Sequence, residues 1–469
     1  MPLKTALRYS IAPALLAVLL YLPTLKFGTI YDDGQLLPRI TNMDVREAFT
    51  TDYWRNPATL WAALYYRPLA LLAYWSIYQA FDMQVFGIDP VPFHVASVLL
   101  HAGATVVFLC LLAALGFEPG VCLAAAFLFA AHPLHVEAVA WISAMIEPLA
   151  CVLTLLSLLC FVRRERTASL LLGGCAMLVK ETALILPALV FMIAWRRERM
   201  DHAPRPARAA GIAALPYVPL VGAYLAARWF FLPAAPPDLA WFMFQNLPTT
   251  APATLARYLQ LIFFPWPMVM SYRLLGIAWQ LAALVALAAL ITVALRAGEF
   301  GRDLLLAVAF MVLTIAAPVL ASPLMGEWAR VQDRYAYQAT AGGCLLIALL
   351  VSKGLDRFQH GRFRQRSQFM KDGLLYVCLL LTLLGSLAIN RQLRYWQNGL
   401  TLWVHTLKLV PESEWATNMV AHELHRQRRD ADAERVVIVG LRRHHPVSQI
   451  LLKDLVWLRK LRKQRSAAP

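Results

Sequence analysis

From about residue 10 to residue 390 the chain is a succession of long apolar runs. Many approach the roughly 20 residues that an α-helix needs to cross a hydrocarbon core. No other feature constrains the fold as strongly. In lipid every backbone N–H and C=O must be satisfied within the protein, and helices do this within one segment. Hydrophobic residues make up 59% of the chain and charged ones 15%. A soluble domain lies nearer half apolar and a quarter charged. The expected fold is therefore all-α and polytopic, set in a membrane. The net charge of +16 does not point to nucleic acid. The bases cluster in short loops between apolar runs, as in cytoplasmic loops, and no nucleic-acid recognition motif accompanies them. The seven cysteines all fall inside apolar runs with no CxxC pair, so they read as small buried residues.

Apolar length and the Lys/Arg content of the loops predict about eleven spans within a transmembrane unit of residues 1–390. The first is about 9–28, entered from the cytoplasm and read as an uncleaved span, since no small-residue cleavage site precedes Asp32. Residues 29–91 form a long outer loop, in which the aromatic-rich stretch 65–81 suits a helix lying in the interface. Spans at about 92–115, 119–131 and 138–162 follow. Basic loops flank residues 168–195 on both sides, which predicts two short spans broken at 180-KET-182 rather than one. Further spans are expected at about 209–231, 275–296, 303–321, 336–352 and 372–390, with 251–272 a broken interfacial segment on the outer side. The basic loop 353–371 is placed in the cytoplasm.

Residues 391–469 read as a soluble helical tail on the outer side. Pro411 and Pro446 lie 35 residues apart and bracket two amphipathic stretches, beginning at residues 416 and 430. That spacing weakly resembles one tetratricopeptide (TPR) unit, which cannot bury its own face and has to pack on its neighbours or on the membrane part.

Charges at the membrane edge are costly, so each is a candidate for function. Asp32, Asp33, Arg67, His132, His135, Glu137, Glu147, Lys180, Glu181, Arg330, Asp333 and Arg334 come from distant parts of the chain, yet all fall at the outer ends of the expected spans. Together they predict one polar cavity open to the outside. Asp32 or Asp33 can serve as general base toward a hydroxyl, its partner orienting it or raising its pKa; Asp-Asp-Gly is equally an ordinary turn. His132, His135 and Glu137 have a spacing that fits a metal, or simply a helix start after Pro133. Lys180 can hold a phosphate as a point charge, and Arg67 or Arg334 can do so bidentately. Glu147, at a helix break before Pro148, is expected to face a cavity. Carboxylates and cations beside lipid suit a lipid-borne phosphate substrate. There is no P-loop, no Ser-His-Asp arrangement and no Rossmann fingerprint.

The order of strings YDD, 66-YRPLALLAYW-75, 93-FHVASVLLHAGATVVF-108, 127-FLFAAHPLHVEAVAWISAMIEPLACVLTLLSLL-159, 176-AMLVKETALILP-187 and 333-DRYAY-337 resembles the transmembrane and TPR-containing (TMTC-type) O-mannosyltransferases and their bacterial relatives. The resemblance covers roughly residues 1–395. It implies a GT-C fold and an inverting glycosyltransferase acting at the outer membrane face. The donor would be a polyprenyl-phosphate monosaccharide and the acceptor a protein Ser/Thr hydroxyl. Asp32 and Asp33 match the family's paired acids in the first outer loop, and Glu147 its later acid. Relatives usually carry an arginine shortly before that later acid; this chain has Ala144, Met145 and Ile146. Arg67, Lys180 or Arg334 is then expected to hold the phosphate, with His132, His135, Glu137, Glu181, Asp333 and Tyr335 supporting the cavity. No cofactor is required, and a divalent cation is compatible. Transfer to a lipid or surface glycan is the alternative within this chemistry. A transporter or flippase of lipid-linked sugar is the alternative outside it, although no inverted repeat is visible. The Ala/Leu/Arg-heavy composition suggests a bacterial inner membrane, with site and tail facing the periplasm.

Overall fold

The computed structural model describes residues 1–55, 65–233, 236, 238–326, 329–359, 367–443 and 448–466. Among these, the regular elements are helices. Six of the helical stretches are long and apolar enough to cross a membrane: Leu3–Lys26, Val91–Ala114, Ile142–Val162, Pro206–Phe231, Ile277–Arg296 and Tyr376–Leu393. The chain is an all-α membrane protein.

Where lipid is the solvent, apolar side chains face outward as well as inward. On Ile277–Arg296 the buried residue is Ala294, while Leu281, Val285 and Leu295 are exposed, so this helix is peripheral. Val91–Ala114 is buried over much of its length and packs between Leu3–Tyr21 and Ile146–Val162. Close approach elsewhere depends on glycine. A Cβ at Gly342 would lie 2.5 Å from Met311 N and 2.6 Å from Ala307 O, so the helices Gly298–Thr314 and Ala339–Gln359 touch backbone to backbone.

Several of the expected spans are shorter than a bilayer. Pro119–Ala130, Arg166–Val179 and Ala339–Gly354 are apolar but short. From Val121 on, Pro119–Ala130 is mostly buried among its neighbours, so protein rather than lipid surrounds it and full membrane length is not needed. The break at Lys180 is present: the helix Arg166–Val179 stops, Lys180 is extended, and a 3₁₀ turn leads into Leu186–Met200. The chain doubles back there, since a Cβ at Gly173 would lie 3.1 Å from the Leu186 side chain. The expectation of a broken segment at 251–272 holds only for its second part. Leu239–Phe263 is one helix with Pro248 and Pro252 inside it, and irregular chain begins at Phe264. Burial of Ala253, Ala256, Tyr258, Leu259, Leu261 and Ile262 carries the helix past prolines, each of which removes a backbone donor. Of the basic loop 353–371, residues 360–366 lie outside the described residues, as does Pro446.

The chain ends in the helices Gly399–Leu409, Glu414–Arg426, Asp430–Arg443 and Gln449–Ser466. The Asn398 side chain accepts from Thr401 N–H and the Ser413 hydroxyl from Ala416 N–H, which fixes where the first two start. Glu414–Arg426 and Asp430–Arg443 pack against each other, flanked by a helix on either side. The tail is tied to the irregular segment that follows Leu239–Phe263: Met270 N–H donates to Thr406 Oγ1 at 3.3 Å, and the Ser271 and Ser413 hydroxyls are 2.9 Å apart.

Candidate active site

The polar residues scattered along the sequence converge at one end of the bundle because each sits where a helix begins or ends. Asp32 and Asp33 open the helix Asp33–Thr41, just past the turn Leu22–Lys26 that finishes the first span. Arg67 precedes Pro68–Ala80. Trp141, Ser143 and Glu147 belong to the turn between His135–Ala140 and Ile146–Val162 and to its exit. Lys180 is the break, and Arg334 and Tyr335 lie in the 3₁₀ turn Asp333–Ala336.

These ends enclose a polar cavity of about 350 Å³ lined by Asp32, Gln35, Tyr53, Trp54, Tyr65, Arg67, Trp141, Ser143, Ile146, Glu147, Lys180, Arg334 and Tyr335. A second cavity of about 240 Å³ shares Tyr65, Arg67, Lys180 and Tyr335 with it. That second cavity runs on along Leu184, Tyr224, Leu225, Ala317, Pro318, Leu324 and Met325, a mostly apolar wall. The common border carries two cations, Arg67 and Lys180, between a polar chamber and an apolar groove.

The two adjacent acids are not equivalent. Asp33 is 1% exposed and fully engaged: Oδ2 accepts Ile30 N–H at 2.9 Å, and Oδ1 accepts the Ser143 N–H at 2.9 Å and its hydroxyl at 2.5 Å. Asp32 lines the cavity. Burial pushes its carboxyl up to about 7, with Arg334 opposing and the neighbouring Asp33 charge adding to the rise. Asp33 rises to about 6, again through burial, held back by the hydrogen bonds from Ile30 and Ser143.

Each cation of the cavity is paired with an acid. Arg67 binds Glu181 bidentately, Nε at 2.8 Å and Nη2 at 2.5 Å. Burial works against the Arg67 charge, but Glu181 more than offsets it and the guanidinium stays firmly protonated. Lys180 Nζ donates to Glu147 and stands 4.7 Å over the Tyr335 ring. Arg334 donates to Glu137 and lies over the rings of Trp141 and Tyr335 at 4.8 and 4.6 Å. Each cation keeps further N–H donors beyond those its acid takes.

Of the residues expected at the site, Asp32, Arg67, Glu147, Lys180, Arg334 and Tyr335 line the polar cavity, and Glu181 lines its apolar neighbour. Glu137 stands behind Arg334, and Asp333 accepts the Tyr272 hydroxyl at 2.6 Å. Arg330 lines neither cavity. His132 and His135 are in the core rather than on the cavity wall. His132 Nδ1 accepts Leu134 N–H, so Nε2–H donates to Ile262 O at 3.0 Å, and no lone pair remains for a metal. His135 Nε2 meets the Thr340 hydroxyl at 2.7 Å. Among the described residues, no group of three or more His, Cys, Asp or Glu is placed to hold a metal ion. The sequence reading missed Ser143, which fixes Asp33, and the wall residues Gln35, Tyr53, Trp54 and Trp141. Ser143 offers only a faint signal, a lone hydroxyl four residues before Glu147 in an apolar string.

No protein-family model matches the chain. It is similar to curated protein O-mannosyl-transferases. The fruit-fly Tmtc2 (Drosophila melanogaster) is 34% identical over 189 residues, 36% of this chain and 20% of that protein. Human TMTC1 is 33% identical over 204 residues, 37% of this chain and 22% of its own length. Mouse TMTC2 is 32% identical over 209 residues, 40% and 24% respectively. The matched stretch spans only about a fifth to a quarter of these relatives. Over more than a third of its own length, the chain resembles TMTC-type protein O-mannosyl-transferases, as its motifs suggested.

Proposed function

We propose that this protein is an inverting glycosyltransferase of GT-C type. It moves a monosaccharide from a polyprenyl-phosphate donor to an acceptor hydroxyl, a protein Ser or Thr, at the outer face of a bacterial inner membrane. The observation that carries this reading is the shared border of the two cavities: Arg67 and Lys180 stand between a polar chamber holding Asp32 and an apolar groove. A sugar fits the first, an isoprenoid chain the second, and a phosphate the cations between them. The relatives' names supply the reaction class.

In this mechanism Asp32 takes the proton of the acceptor hydroxyl as its oxygen attacks the anomeric carbon and inverts it. The bond from that carbon to the phosphate oxygen breaks, and the electron pair leaves with the polyprenyl phosphate. Arg67, Lys180 and Arg334 stabilise the charge that develops there. Asp33 and Ser143 hold the turn that presents Asp32. Glu147 and Glu181 fix Lys180 and Arg67. No cofactor is needed for any of these steps.

The test is lipid mass spectrometry on cells lacking the gene and complemented with wild type, Asp32→Asn or Asp33→Asn. A polyprenyl-phosphate monosaccharide should accumulate in the deletion and with Asp32→Asn, since losing a general base costs about 10²–10⁴ in rate. Unchanged lipid-linked sugars throughout would sink the reading.

A further inference from the structure

Tyr31, the residue before Asp32, has a backbone that needs help. Its φ is +47°, a left-handed conformation that an aromatic side chain rarely adopts. Such a conformation persists only where the surroundings over-determine it. Part of the constraint is local: Asp33 Oδ2 accepts Ile30 N–H, and Gly34 N–H donates to Tyr31 O at 3.2 Å. The rest comes from the far end of the chain. The Tyr31 ring stands 5.5 Å from that of Trp403 and 5.8 Å from that of Trp415, both edge-on. Those two indoles are themselves 4.9 Å apart. Trp403 is wholly buried on the tail helix Gly399–Leu409, and Trp415 lies on the next one. On the inner side Trp141, a wall residue of the polar cavity, closes the cage at 5.6 Å. Arg426, at the end of the same tail helix as Trp415, reaches to 3.4 Å of where a Cβ on Gly34 would be.

We propose that the helical tail is part of the catalytic apparatus: Trp403 and Trp415 are positioning residues that clamp Tyr31 and thereby aim Asp32 into the cavity. This rests on the glycosyltransferase reading above and goes beyond it, because it gives the tail a task other than acceptor recognition. The tail is anchored for that task. Thr406 and Ser413, which lie between the two tryptophans in sequence, are tied to Met270 and Ser271. Aromatic pairs at these separations add directional attraction to the burial of the rings. Displacing a catalytic group by about 1 Å can cost 10²-fold in rate, so a loosened Tyr31 is enough to idle the enzyme without touching the donor groove.

The experiment uses the full chain in the same deletion background, with lipid mass spectrometry as the activity readout. Hydrogen exchange of the peptide 27–37 in purified protein reports on the loop. Trp403→Ala and Trp415→Ala should each accumulate polyprenyl-phosphate monosaccharide as Asp32→Asn does. Exchange should rise in 27–37 and remain at the wild-type level in the membrane helices. Trp403→Phe and Trp415→Phe, which keep a ring against Tyr31, should restore clearance. The double variant Tyr31→Ala/Trp403→Ala should be no worse than either single one, because both act through one contact. Val456→Ala, on an exposed face of the last helix, should behave as wild type. If Asp32→Asn accumulates donor but the tryptophan variants clear it normally, the clamp is wrong and the enzyme reading stands. If exchange rises throughout the protein, the tryptophans are merely structural and the proposal is overturned. If Asp32→Asn itself clears donor, the enzyme reading falls and the clamp with it.

Discussion

The Glu147–Lys180 pair gives the sharpest stability test. The Lys180 side chain is 1% exposed and that of Glu147 8%, so each charge depends on the other. Breaking a buried pair by removing one partner costs about 3–5 kcal/mol, because it strands the remaining charge. Replacing both by neutral groups of similar size is near neutral. Here both residues line a chamber that admits water, which partly hydrates a stranded charge and favours the lower end, about 3 kcal/mol. Glu147→Gln and Lys180→Met should therefore each inactivate faster on heating in detergent. The double variant Glu147→Gln/Lys180→Met should be more robust than either. The readout is the half-time of loss of the monodisperse peak in size exclusion at one fixed temperature, since unfolding of such a protein is kinetically controlled. A double variant more fragile than either single one, with the two losses simply adding, refutes the coupling and the view that Glu147 serves to hold Lys180.

Turnover should depend on pH through Asp32. A base must be ionised, and burial has raised this carboxyl to about 7. The rate should fall about tenfold per pH unit below that point and be flat above it, whereas an ordinary carboxylate stays ionised down to roughly pH 5. A flat profile between roughly pH 5 and pH 8 removes Asp32 from the role. Gly342→Ala should destabilise by about 1–3 kcal/mol, because its Cβ would meet Met311 N and Ala307 O on the facing helix. Gly222→Ala has nothing within 4 Å of the new Cβ and should be neutral or slightly stabilising. Equal thermal inactivation of the two variants contradicts that helix contact.

What the sequence made legible follows from what a linear pattern encodes. Apolar run length marks the crossing helices, and the costliness of membrane-edge charge marks Asp32, Arg67, Glu147, Lys180 and Arg334 as one set. The flanking bases marked the break at Lys180. Three things were not legible. Proline counts as a breaker locally, yet packing carries Leu239–Phe263 through two of them. The partner of each cation is set by contacts as long in sequence as the 197 residues between Glu137 and Arg334, which no periodicity records. The roles of Asp32 and Asp33 differ only through Ser143 and Ile30, invisible in the string YDD. His132 and His135 resembled site residues because their spacing with Glu137 fits a metal, but the His132 nitrogens serve Ile262 and Leu134, and His135 Nε2 meets Thr340.

The pairing of cations with acids bears on how such a site can work at all. Bare cations in a partly dry chamber would be costly, so Glu181, Glu147 and Glu137 keep Arg67, Lys180 and Arg334 compensated when no donor is bound. A site compensated in this way has no large positive excess with which to drag in an anion. It must instead favour the redistribution of charge that the reaction produces. On the proposed mechanism a phosphodiester donor, with one negative charge, becomes a phosphomonoester carrying about 1.5–2 near neutral pH. In the same step Asp32 takes up the acceptor proton and loses its charge. Total charge in the chamber is thus almost unchanged, while negative charge moves from the Asp32 wall to the Arg67–Lys180 border. That border need only be better disposed toward phosphate than the Asp32 wall is, which is differential stabilisation of the transition state rather than tight binding of the donor. A carboxyl raised to about 7 fits this part: it is ionised often enough to accept the proton, and holds it firmly enough to drive the transfer.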